Sequence, residues 1–322
     1  MQQSRPNLFG KNKVVMNFKS FLQTAVLIFY FLVSGSSVIR AEVRIDPSVV
    51  YIEVEKIGRE IDLLKKHFKI SQSISFTPYE ANLKPKHTWQ LTYIIFSKIN
   101  IFRSKINLPR IMVNSMEPVL DINPLLTFEQ TQRLLAEIAI LKIHLGITQY
   151  ISSPGKISGK QPIDVFNQLQ KISLEMDLLN KELIHPTYVF SEVMRIDTDI
   201  SSILRWLKLE DTSYPPAKEE NVTPKDSLDA TYELMEEIYR LQRILGVGLT
   251  DFSLLRRQGK ILPSDVYLMV GMCLAELQPV KARMGISILT PPAESYDFKT
   301  PADVHQLIQW STKKLQLVRI SR

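Results

Sequence analysis

Glycine is scarce in this chain, with 11 in 322 residues, and cysteine is all but absent, with one. The first lack excludes a collagen-like or glycine-rich fibrous chain, and no glycine-rich phosphate loop is present. The second excludes disulfide stapling within the chain, so stability must come from packing. Beyond residue 41 no apolar stretch is long enough to span a bilayer. Concentrated positive charge is missing too, although the formal net charge is +7. Residues 1–41 hold five of the 40 basic residues and no acid, leaving 35 bases against 33 acids in the rest. So balanced a body has no basic face for nucleic acid. What the chain does have is apolar material: 45% of its residues are hydrophobic, ample for a large core.

The N-terminus reads as an address. Residues 21–33 (FLQTAVLIFYFLV) form a short apolar run, preceded by lysines and followed by Ser34-Gly35-Ser36-Ser37 and Ala41. That order predicts a secretory signal peptide over residues 1–41, with Met16 as an alternative start. Such a run rises only about 20 Å as a helix, short of the roughly 30 Å hydrocarbon core. The expected location is the periplasm or the exterior, with membrane attachment only if the signal stays uncleaved.

The rest of the chain is repetitive. Prolines at 47, 85, 124, 162, 186, 224, 263 and 301 are separated by 38, 39, 38, 24, 38, 39 and 38 residues. The series is symmetric about its short middle step, and residues from 47 superpose on residues from 186 at a constant offset of 139. This predicts an internal duplication, with one half over 42–185 and the other over 186–322. Each unit reads as a helix opened by proline, which is well placed at the first helical position. Asp46, Asn123, Thr223 and Thr300 precede it as N-caps, and Gly146, Gly246 and Gly285 stand 22 residues after it as stop signals.

Counting from each proline, positions 14 and 17 are apolar in all eight units, and positions 3, 7, 10 and 21 are mostly so. Alternating steps of four and three are the seam of a coiled-coil-like bundle. The fold class is therefore all-α: eight proline-initiated amphipathic helices in two homologous four-helix halves joined by long loops. Position 13 is acidic in six units (Glu60, Glu137, Glu175, Asp199, Glu237, Glu276), and position 18 is basic in five (Lys65, Arg103, Lys142, Lys281, Arg319). These flanks meet across a parallel pair of helices and repel across an antiparallel one. Some neighbours within a half are thus expected to run parallel, with up-down packing as the alternative.

Chemistry is harder to find. The histidines His67, His87, His144, His185 and His305 form no metal-ligand spacing and read as surface or helix-end residues. Cys273 falls on the seam, where a small core residue is expected rather than a nucleophile. No resident metal or cofactor is expected. Aromatics recur at position 4: Tyr51, Trp89, Phe128, Phe166, Phe190 and Tyr267. They suggest a capping layer or a ligand pocket at the mouth of a bundle. The long loops are rich in proline and aromatics, as in Tyr214-Pro-Pro216 and the stretch from Pro291 to Phe298. The function expected is a non-enzymatic, exported interaction protein that acts as scaffold or adaptor. The alternative is a bundle that binds or senses a small apolar ligand.

Overall fold

A computed structural model describes residues 45–111, 122–181, 184–255 and 259–319. The predicted signal peptide lies outside them. Among the described residues eight helices each begin at a proline: α1 (Pro47–His67), α2 (Pro85–Lys105), α3 (Pro124–His144), α4 (Pro162–Asn180), α5 (Pro186–Trp206), α6 (Pro224–Leu245), α7 (Pro263–Arg283) and α8 (Pro301–Gln316). No strand and no helix able to cross a membrane occurs among those residues.

The expected N-caps Asp46, Asn123, Thr223 and Thr300 all accept first-turn backbone N–H groups. At the other end the backbone turns left-handed 22 residues after the proline in six units. The residue there is Gly146, Gly246 or Gly285, but also Lys69, Asn107 or Lys208. In all six the next N–H returns to the carbonyl at position 18, as in Ile70 to Lys65 (2.9 Å) and Val247 to Gln242 (2.8 Å). Helix α4 stops early at Lys181, whose φ is 50°, and His185 caps α5. Helix α4 therefore ends before α5 begins.

Within each half the four helices run parallel. Pro47, Pro85, Pro124 and Pro162 gather at one end with Val50, Thr88, Thr127 and Val165, the residues three positions on. The second half repeats this with its own four prolines and Val189, Ser227, Val266 and Val304. In the first half α1 packs on α3 and α4, which both pack on α2. In the second, α5 packs on α7 and α8, which both pack on α6. The seam residues fill both interiors, among them Ile61, Ile99, Ile138 and Met176 at position 14, each fully buried.

The charged flanks close this arrangement. Around the first half Lys65 bonds Glu175, Arg103 bonds Glu137 (2.9 Å) and Lys142 bonds Glu60 (2.6 Å). The fourth junction departs from the pattern: the Asn180 amide donates to the Lys98 carbonyl (3.0 Å), and the Lys98 ammonium donates to Asp177 (2.8 Å). In the second half Gln242 donates to Glu276 (2.6 Å), Lys281 to Asp199 (2.6 Å), and Lys314 to Asp197 (2.9 Å). A solvated rim would make such pairs nearly worthless. These are buried instead, Lys281 and Asp199 almost completely. The recurring acid at position 13 is architectural.

The two halves then dock antiparallel through α2 and α7. Ser97, late in α2, meets Tyr267, early in α7 (2.9 Å). His87, early in α2, meets Glu276, late in α7 (2.6 Å). Midway lies Gly271, where an added Cβ would sit 3.8 Å from the Ile94 side chain and 3.9 Å from that of Gln90. Both helices are buried on nearly every face, since each serves its own bundle and the other half.

Candidate binding cleft

Because α2 and α7 cross where the two halves meet, space opens beside the Ser97–Tyr267 contact. A cleft of about 840 Å³ lies there. One wall is the flank of α2, with Tyr93, Ser97 and Asn100. A second is the start of α5, from His185 to Glu192, together with Tyr267. The third is the chain from Pro292 to Thr300, with Arg110 and Ile111 at the edge.

Internal bonds set these walls. The Asn100 amide clamps Ile111 from both sides, donating to its carbonyl (3.0 Å) and accepting its N–H (2.8 Å). Arg195 donates to Glu192 (2.7 Å) and to the Pro291 carbonyl (2.8 Å), fastening the third wall to α5. Lys299 donates its N–H to the Thr187 hydroxyl (3.3 Å) and sets its ammonium over the Phe190 ring at 4.5 Å. The first half repeats this anchor at the constant offset, where Lys160 donates to Ser48 (3.1 Å) and lies over Tyr51 at 4.4 Å. Burial, with the nearby Glu192 carboxylate, pushes the Tyr267 phenol well above its usual range. It stays a neutral hydroxyl.

The aromatics at position 4 do not share one pocket. Tyr51 and Phe190 hold the lysines just described. Trp89 is buried edge-on to Tyr93 at 4.5 Å, and Phe166 is buried edge-on to Tyr79 at 6.1 Å. Phe128 packs half-buried on the core. Of the six only Tyr267 lines the cleft. The physical reason is register: position 4 lies on the helix flank, whereas positions 0 and 3 face the bundle axis. At the mouths those prolines and small residues leave spaces of about 10 and 20 Å³, room for a water at most.

His87 stands at a helix end, in the first turn of α2, and is wholly buried there. Its Nδ1 accepts the Lys84 N–H (2.8 Å), so Nε2 carries the proton and donates to Glu276. His305 is also buried, while His67, His144 and His185 are exposed. Cys273 is buried as expected, and burial with Glu276 nearby raises its thiol far above the usual range. A thiol so protonated is a poor nucleophile. No group of side chains able to hold a metal occurs among the described residues.

What reading by residue type missed is the cleft itself. Its walls come from one helix flank, one helix start and two loops, so no spacing in the chain joins them. One signal was available. Between Asp265 and Glu276 the sequence VYLMVGMCLA is apolar on every helical face, which marks two-sided burial and hence a second docked body. Comparison with protein-family models, curated proteins and solved structures finds no match to this chain.

Proposed function

We propose that this chain is an exported, non-enzymatic binding protein, an adaptor whose ligand or partner occupies the cleft between the two bundles. One observation carries the reading: a cleft within the size range of ligand sites, lined by Tyr93, Tyr188, Tyr267, Tyr296 and Phe298 and built where the two helical halves meet. Phe298 strengthens it. This phenylalanine is 94% exposed and stands at a φ of 56°, a conformation that bulky residues seldom adopt. The left-handed turn is architectural, since Gly159 and Asn221 make it three residues before their own opening prolines, but core packing does not account for the exposed ring carried there. Against catalysis stands the chemistry of the walls, where Glu192 is neutralised by Arg195 and Tyr267 remains protonated. The small-ligand alternative at the bundle mouths is disfavoured by their size.

Native mass spectrometry of the protein isolated from its own host is the test. A co-isolated protein or small molecule is expected with the natural chain and is expected to be lost from Tyr188→Ala and Phe298→Ala. Retention of the same companion by both variants would contradict the proposal.

A further inference from the structure

The polar side chains of the cleft are largely spent on one another. Ser97 bonds Tyr267, Asn100 is committed to Ile111, and Arg110 donates to Ser104 (3.2 Å). His185 bonds Thr187, and the Tyr296 hydroxyl donates to Glu294 (3.1 Å). Thr300 is held by Asp303 (2.6 Å). A sugar ring reads its site through a dense set of available polar side chains, and this one offers few.

The main chain differs. From Ala293 to Phe298 no backbone N–H donates to a protein acceptor among the described residues, and no carbonyl there accepts from one. Six consecutive residues of this wall thus have both peptide groups uncommitted within the described chain. Nor is there a net charge to select an ionic ligand: Arg110, Arg195 and Lys299 stand against Glu192, Glu294 and Asp297. A site that offers peptide groups and aromatic faces suits a ligand made of peptide groups and flat apolar rings. A proline-bearing segment is such a ligand, because it is already extended, presents free carbonyls, and loses little entropy on docking to aromatic faces.

Taking the cleft as the binding site, we infer that it holds an extended, proline-bearing peptide segment of a partner protein. The main chain of residues 293–298 pairs with the peptide backbone, and Tyr188, Tyr296 and Phe298 receive its rings.

The probe is a displayed library of random twelve-residue peptides, panned on the chain lacking residues 1–41. Proline-bearing peptides are expected to enrich. Their affinity should fall at least tenfold on Ser295→Pro, which removes one N–H, and on Phe298→Ala. Ser295→Ala should change it less than twofold, and circular dichroism should show all three variants folded. Failure of any peptide to enrich overturns the inference. If soluble oligosaccharides instead perturb the tyrosine signals of the cleft, the cleft stands as the site and the peptide does not. If enriched peptides bind Ser295→Pro and Phe298→Ala as they bind the natural chain, both the inference and the cleft fall.

Discussion

Replacing Asp199 by alanine lowers the unfolding free energy by about 3–5 kcal/mol, the cost of leaving a buried charge without its partner. The Asp199 carboxylate accepts from the Lys281 ammonium (2.6 Å), the Gln278 amide (3.0 Å) and the Thr290 hydroxyl (2.5 Å). The Lys281 and Asp199 side chains are 0% and 1% exposed, so water cannot replace what the substitution removes. Joint replacement, Asp199→Leu with Lys281→Met, recovers most of the loss, because no charge is then buried. Gln278 and Thr290, which bond each other at 2.8 Å, are expected to keep that bond in the double variant. By contrast, breaking the exposed Lys225–Asp229 pair leaves stability unchanged. Urea denaturation of the three variants and the parent separates these outcomes. An Asp199→Ala protein as stable as the parent would show that the pair is solvated and the circuit decorative.

The contact between the halves weakens in acid in two stages. Burial lowers the His87 pKa from 6.5, opposed by its hydrogen bond to Glu276. Geometry agrees, since protonating Nδ1 would break the bond from the Lys84 N–H. The unfolded chain therefore binds a proton near pH 6.5 that the native chain refuses. Stability is full above that pH and falls as pH drops below it, by at most about 1.4 kcal/mol per unit. Glu276 moves in a lower window. Burial alone would raise its carboxyl, but the His87 bond and the Lys86 ammonium hold it down at about 2. Its contribution is intact above pH 4.5 and is lost as pH falls toward 2. His87→Gln is expected to flatten the limb between 6.5 and 4.5 and to shrink the lower one, because it removes part of what holds the Glu276 carboxyl down. Denaturation curves across that range check this, and an unchanged slope in the variant would assign the upper limb to another group.

Much of this architecture is legible in the residues, and the reasons are local. Proline, cap and stop signals act within one turn, so helix boundaries follow from them directly. The acid at position 13 and the base at position 18 encode direction, because only parallel neighbours bring them together. Lys98 and Lys314, both at position 13, break the rule. Each reaches an aspartate of a neighbouring helix, Asp177 or Asp197, that no heptad pattern singles out. The left-handed stops at Lys69 and Lys208 were hidden for a related reason: the position demands a conformation, and glycine is only its commonest occupant.

Docking of the halves was less visible. Four of the six aromatics expected to form one layer lie in the first half and two in the second, and of the six only Tyr267 is placed by the crossing of α2 and α7, through Ser97. At that crossing lies Gly271, which reads in sequence as a weak spot in a helix, although an added Cβ would meet Ile94 and Gln90 at ordinary contact distance. The buried His87–Glu276 pair joins residues from opposite ends of antiparallel helices. Nothing periodic links them.

Four parallel helices in each half, returned by long loops, are the central claim, and a distance tests it. Lys225 and Ala302 each follow the opening proline of adjacent helices, α6 and α8. Nitroxides placed there in a Cys273→Ala background should lie about 10–20 Å apart, given helix axes 8–10 Å apart and the reach of the labels. An up-down bundle would carry one label to the far end of a helix roughly 30 Å long. A short distance by pulsed electron spin resonance is the predicted result. A single population near 30 Å or beyond would contradict the parallel bundle, and with it the cleft that depends on how the two bundles meet.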